Sequence, residues 1–126
     1  MKTENKLIAV VGDVHGCIKT FAELYGRLMT FGVEVYSVGD FIDRGRNSRE
    51  VVEFMRANNV RAVAGNHEKW FVDAMNSNNE ITYFRYWAEA GGANTMLSYF
   101  DDVRDVTIKD FKEMMFANGH YDFISS

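Results

Sequence analysis

Three short apolar runs set the rhythm of the first half of the chain: Leu7 to Val11, Val33 to Val38 and Val60 to Ala64. Their length and continuity predict strands of a parallel sheet, with Leu7 to Val11 buried on both faces. Between the first two, Cys17 to Thr30 repeats apolar residues at helical spacing (Ile18, Phe21, Leu24, Leu28), and Gly32 supplies the stop. Between the second and third, Asn47-Ser48-Arg49-Glu50 has the spacing of a capping box, with Asn in place of Ser or Thr. The helix that follows puts Val51, Val52 and Met55 on one face and ends near Asn58-Asn59. Another helix is predicted from about His67 to Asn76. The order β-α-β-α-β-α predicts a parallel sheet with right-handed crossovers.

From Asn79 onward the pattern changes. Ile81 to Ala90 is aromatic-rich and reads as helix, broken by Gly91-Gly92. Ala93 to Phe100 and Thr107 to Asn118 read as two more helices, the second capped by Thr107 with Asp110 three residues on. No strand pattern follows Ala64. The chain has no proline, no low-complexity stretch and no linker, so one domain over residues 1–126 is expected.

The polar residues that matter come directly after the apolar runs. Gly12-Asp13-Val14-His15-Gly16 follows the first, Gly39-Asp40-Phe41-Ile42-Asp43-Arg44-Gly45 the second and Gly65-Asn66-His67-Glu68 the third. Asp13 to Asp40 is 27 residues and Asp40 to Asn66 is 26, close to one βα unit each. Any single Gly-Asp or Asn-His pair is most simply a turn. Three in step place Asp13, His15, Asp40, Asn66 and His67 at the carboxyl ends of neighbouring strands, where sites in such sheets lie. Carboxylate, imidazole and amide oxygen together suit manganese, iron or zinc. Two such ions about 3.5–4 Å apart need a bridging ligand, and Asp40, from the middle cluster, is the natural one.

Composition narrows the setting. With 47% hydrophobic and 25% charged residues the chain is an ordinary globular protein. A net charge of −4 without a basic block argues against nonspecific nucleic-acid binding. One cysteine, Cys17, excludes an internal disulfide and fits a reducing compartment. No apolar run reaches membrane-spanning length, and Met1 to Lys6 lacks the apolar core of a signal peptide. A cytoplasmic protein with no membrane or nucleic-acid partner is the expectation.

The three motifs, complete and in order, resemble the signature of the calcineurin-like metallophosphoesterases, nearest to the serine/threonine protein phosphatase branch. The resemblance covers Leu7 to about Lys69. It extends more weakly to Trp87 to Gly92, where an aromatic precedes paired glycines as in the phage-type enzymes. It implies an α/β fold: a parallel βαβαβ sheet, the N-terminal half of a metallophosphoesterase sandwich, followed by helices. It implies two divalent metal ions, manganese first with iron or zinc as alternatives. Asp13 and His15 would hold one ion, Asp40 both and Asn66 the other. His67, oriented by Asp43, would protonate the leaving alcohol, and Arg44, with Asn66 and His67, would hold the phosphate. A metal-bound hydroxide would attack phosphorus directly. Glu68 is expected in a salt bridge or as a charge at a helix N-terminus.

Family members run longer, and their second half supplies two further histidines to the second ion. Here His120 alone is unassigned, and its setting reads as a helix end or the surface. The second metal site is therefore expected to be incomplete and the domain truncated at its C-terminus. The substrates expected are phosphoserine or phosphothreonine proteins or small phosphoesters. A diadenosine tetraphosphate hydrolase is the alternative within the class, and an inactive metal-binding half-domain the alternative outside it. Self-association through an uncovered sheet is also expected.

Overall fold

A computed structural model describes residues 7–76, 80–102 and 106–126. The polar stretch Met1 to Lys6 lies outside the described residues. The elements are β1 (Ile8–Val11), α1 (Ile18–Met29), β2 (Glu34–Ser37), α2 (Ser48–Ala57), β3 (Arg61–Ala62), α3 (Asn66–Asn76), α4 (Glu80–Trp87), α5 (Ala93–Leu97), α6 (Ile108–Ala117) and α7 (His120–Ser125). The three strands form a parallel sheet in the order β1-β2-β3. Among the described residues no strand follows β3. The architecture is thus α/β, a small parallel sheet followed by helices, as expected of the N-terminal half of a metallophosphoesterase fold. β3 is shorter than the apolar run that predicted it, because only Arg61 and Ala62 pair with β2.

Alternation along the strands divides the sheet into two unlike faces. Ala9 and Val11 of β1 are in register with Val35 and Ser37 of β2, and Ser37 with Ala62 of β3. These five residues are buried or half-buried. The opposite face is open: Ile8 is 57% exposed, Val10 58%, Val38 53% and Val63 62%. The expectation that the first strand is buried on both faces is therefore corrected. Among the described residues, helices cover one side of the sheet only.

The core lies on the covered side. Val51, Val52 and Met55 of α2 are fully buried, the face predicted from their spacing. Phe71 of α3, Trp87 at the end of α4 and Phe111 of α6 meet in one aromatic cluster. The Trp87 and Phe111 rings stack at 5.8 Å, and Phe71 and Phe84 stand edge-on to Trp87 at 5.4 and 5.5 Å. Each such side chain stabilises the fold by about 1.5–3 kcal/mol through burial, with about 0.5–1.5 kcal/mol more per ring pair. In α1, Phe21 is buried and Ile18 and Leu28 half-buried, but Leu24 is exposed and Tyr25 packs on Phe54 instead.

Helix ends were partly foreseen. Thr107 forms the predicted capping box: its Oγ1 accepts from the Asp110 N–H at 3.0 Å, and its own N–H donates to Asp110 at 3.2 Å. Asn47 does stand at the start of α2 but makes no side-chain cap, so the box expected with Glu50 is absent. Between α4 and α5 the chain kinks over Ala88–Gly92, where Gly91 takes a non-helical backbone at φ 118°.

Candidate metal centre

The loops after β1 and β2 are stitched to each other beyond the ends of the strands. The His15 N–H donates to the Asp40 carbonyl at 3.0 Å, and the Gly16 N–H to the Phe41 carbonyl at 3.0 Å. The Gly45 N–H returns to the His15 carbonyl at 2.9 Å. This close weave requires glycine. A Cβ on Gly39 would strike the Gly65 backbone, and one on Gly45 would strike the His15 carbonyl. The weave also forces Asp13, His15, Asp40, Asp43 and Arg44 to positive φ, between 43 and 74°. Non-glycine residues seldom adopt that backbone, and when they do it is most often at functional sites.

The outcome is a hollow of about 370 Å³ lined by Asp13, His15, Asp40, Arg44, Asn66, His67 and Trp70. Five of the predicted residues therefore meet with Arg44 around one space. Ligand atoms of Asp13, His15 and Asp40 all lie within 4.8 Å of one another. The His15 Nδ1 is 2.8 Å from the Ile42 carbonyl, which can only accept, so Nδ1 carries the proton and Nε2 keeps its lone pair. Asp40 Oδ1 accepts from the His67 backbone N–H at 3.0 Å. Two carboxylates and one imidazole with a free lone pair suit a divalent cation, so the donor set fits the metal expected.

Beside the hollow stands a buried pair. His67 Nδ1 lies 2.8 Å from Asp43 Oδ2, and both side chains are almost fully buried. The same carboxylate accepts from Trp87 Nε1 at 2.8 Å and from the Thr95 hydroxyl at 2.7 Å. Thr95 in turn accepts from the Asp43 N–H at 2.8 Å, with Ser48 Oγ 3.0 Å away. Burial pushes the Asp43 carboxyl up to about 7, against the pull of the Thr95 and Trp87 hydrogen bonds. Burial lowers the His67 imidazole, with His15 and Arg44 lowering it further while Asp40 opposes them. The His15 and His67 rings stand edge-on at 4.6 Å. Three donors converge on the Asp43 carboxylate, an arrangement suited to its ionised form.

Arg44 is exposed, and its guanidinium makes no hydrogen bond or ion pair among the described residues. Its backbone is held at both ends. The N–H donates to the Gly91 carbonyl at 3.0 Å, and the carbonyl accepts from Asn94 at 2.6 Å. The kink at Gly91 and the start of α5 thus serve as the support of Arg44.

Glu68 departs from one of its two expectations: it makes no salt bridge among the described residues. It does stand as a charge in the first turn of α3, fully buried beneath the central loop. Its Oε1 accepts from the N–H groups of Asp40 at 2.5 Å and Gly65 at 2.8 Å, and its Oε2 from Phe41 at 3.0 Å and Ile42 at 3.4 Å. His120 departs too. It opens α7 instead of closing a helix, is 4% exposed, and its Nδ1 lies 2.6 Å from the Tyr99 hydroxyl. It is not among the residues that line the hollow. Ser48 and Thr95 were not singled out from the sequence. The only available signal was that a buried Asp43 must find donors.

A carboxylate and imidazole cluster thus stands at the strand ends, flanked by a histidine with a buried carboxylate behind it. Residues 6–125 match the calcineurin-like phosphoesterase family, and the chain belongs to it. Serine/threonine-protein phosphatase 1 of Salmonella typhimurium is 38% identical over 88 residues, covering 66% of this chain and 38% of that protein. Serine/threonine-protein phosphatase 2 of the same organism is 32% identical over 109 residues, covering 84% of this chain and 44% of that protein. The symmetrical bis(5'-nucleosyl)-tetraphosphatase of Erwinia tasmaniensis is 39% identical over 64 residues, covering 47% of this chain and 23% of that protein. The chain spans under half the length of these curated relatives. No helix among the described residues is long and apolar enough to cross a membrane.

Proposed function

We propose that the chain carries the metal- and phosphate-binding part of a phosphomonoesterase acting on phosphoserine or phosphothreonine in proteins. The observation that carries this reading is the meeting of Asp13, His15, Asp40, Arg44, Asn66 and His67 around one hollow. The serine/threonine phosphatases match 66% and 84% of the chain and the tetraphosphatase 47%, which favours the protein substrate. In this reading residues 1–126 are the N-terminal part of a metallophosphoesterase domain.

Asp13, His15 and Asp40 would hold the first ion, and Asp40 with Asn66 the second, for which this chain offers the poorer set. Manganese suits these donors, with iron and zinc as alternatives. Bound divalent metal supplies charge for the phosphate oxygens and makes water a better nucleophile near neutral pH. The residues of the chain do the rest. Arg44, supported from Gly91 and Asn94, presents its fork of donors to two phosphate oxygens. His67 delivers a proton from Nε2 to the departing serine or threonine oxygen, while Asp43 holds Nδ1–H and steadies the imidazolium.

The second reading is a dinucleotide polyphosphate hydrolase, favoured by the match to the tetraphosphatase. The third is a half-domain that binds one metal without turnover, favoured by the poorer second donor set. Assay of the manganese-loaded chain on a phosphoserine peptide and on diadenosine tetraphosphate separates the three. Turnover of the peptide supports the proposal, turnover of the dinucleotide alone supports the second reading, and metal binding without either supports the third.

A further inference from the structure

A second hollow, of about 380 Å³, opens beside the metal centre between α3 and α4. It is lined by Trp70, Asp73, Thr82, Tyr83 and Tyr86. Trp70 belongs to both hollows. Its indole stands edge-on to His67 at 4.8 Å on one side and to Tyr86 at 5.4 Å on the other. Helix α4 is aromatic on two faces. Phe84 and Trp87 are buried in the core, whereas Tyr83 is 49% and Tyr86 56% exposed, so core packing does not account for the second pair.

The chemistry of this lining is specific. Three electron-rich rings line the space, and among the described residues Asp73 is its one carboxylate. Asp73 is exposed and makes no ion pair among the described residues. The nearby cations do not satisfy it. Arg85 of α4 is paired with Glu89 at 3.0 Å, and Lys69, one turn before Asp73, does not line the hollow. Aromatic faces with a single carboxylate attract a cation. They disfavour a polyphosphate chain, which would bring like charge to Asp73.

We propose that this hollow is a subsite for a basic side chain, arginine or lysine, close in sequence to the phosphorylated residue of a peptide substrate. The proposal rests on the protein-phosphatase reading above and adds its sequence preference. The phosphate would sit among the ligands and Arg44, and the basic side chain would cross the Trp70 indole to lie between Tyr86 and Asp73.

The test is a set of paired phosphoserine peptides, each with arginine or its neutral isostere citrulline at one of the three positions on either side. Their affinities for the manganese-loaded chain are measured by calorimetry. At one or more positions the arginine peptide should bind about tenfold more tightly. Asp73→Asn and Tyr86→Leu should each shrink that ratio, leaving the citrulline peptide and inorganic phosphate bound as before. Asp73→Lys should reverse the preference toward a glutamate peptide. Equal binding of arginine and citrulline peptides at every position would overturn the subsite and leave the protein-phosphatase reading standing, as would a preference that survives both Asp73→Asn and Tyr86→Leu. Binding of diadenosine tetraphosphate with no phosphopeptide bound would remove both.

Discussion

The Glu68 carboxylate acts through the backbone. It collects four N–H groups from Asp40, Phe41, Ile42 and Gly65, and so ties the loop after β2 to the loop after β3. Glu68→Gln would turn an amide NH₂ toward groups that can only donate. The expected cost is about 2–3 kcal/mol, since hydrogen bonds to a buried charge are the strong ones, with manganese affinity lower by about tenfold. Urea denaturation and metal titration read both, and an unchanged midpoint would show that the loop holds its shape without them. Arg44→Ala should have the opposite signature. Removing a donor aimed at substrate oxygens should weaken phosphopeptide binding by about a hundredfold while metal content stays the same; loss of metal with it would mark Arg44 as structural. At this scale the sequence was a good guide to which residues the strand ends bring together. Asp13, His15, Asp40, Asn66 and His67 could be read because polar residues of these types recur at the spacing of one βα unit, and they line one hollow. Glu68 was legible as a charge in a first helical turn, but its tie to the second loop was not, because its partners are peptide groups that every sequence contains.

Between elements, the most consequential polar contact away from the metal centre joins His120, the first residue of α7, to Tyr99 just after α5. Burial and the nearby Arg56 lower the His120 pKa below its ordinary 6.5. On acidification the unfolded chain therefore takes up this proton before the folded one, and stability falls as pH drops below about 6.5. Above that value His120 is neutral in both states and contributes no pH dependence. His120→Gln keeps an acceptor for Tyr99 but cannot titrate, so its melting temperature should fall less between pH 7.5 and 5.5 than that of the parent. Identical slopes would assign the acid sensitivity elsewhere. The histidine was misplaced in the sequence because Gly119, at φ 80°, ends one helix and begins the next, and a glycine reads equally well either way. Thr107 was legible for the opposite reason: its cap is satisfied entirely within four residues. At Asn47 the same local pattern failed, and Ser48, one residue on, is instead drawn to Asp43 and Thr95.

For the whole molecule, the unequal faces of the sheet dominate. Ile8, Val10, Val38 and Val63 leave exposed apolar surface on the open face, beside Glu34, Tyr36 and Arg61. Exposed surface of this kind promotes association. Sedimentation of the isolated chain should show concentration-dependent self-association, and Val10→Lys should shift it toward monomer without lowering manganese affinity. A monomer at all concentrations would show this surface to be inert. The strands themselves were legible as short apolar runs, but their one-sided burial was not. A continuous apolar run has the same letters whether one face or both are covered.

The five positive-φ residues and the glycine weave between the loops also bear on how such a protein can change. A gene library randomised across residues 39–45 would lose most of its members, because Gly39 and Gly45 have no room for a Cβ and Asp40, Asp43 and Arg44 hold a left-handed backbone that many side chains adopt only at a cost. The same library placed on Asp73, Tyr83 and Tyr86 would leave most variants able to hold metal. New substrate preferences in this lineage are therefore accessible to selection from the rim of the site, while its floor is closed to innovation.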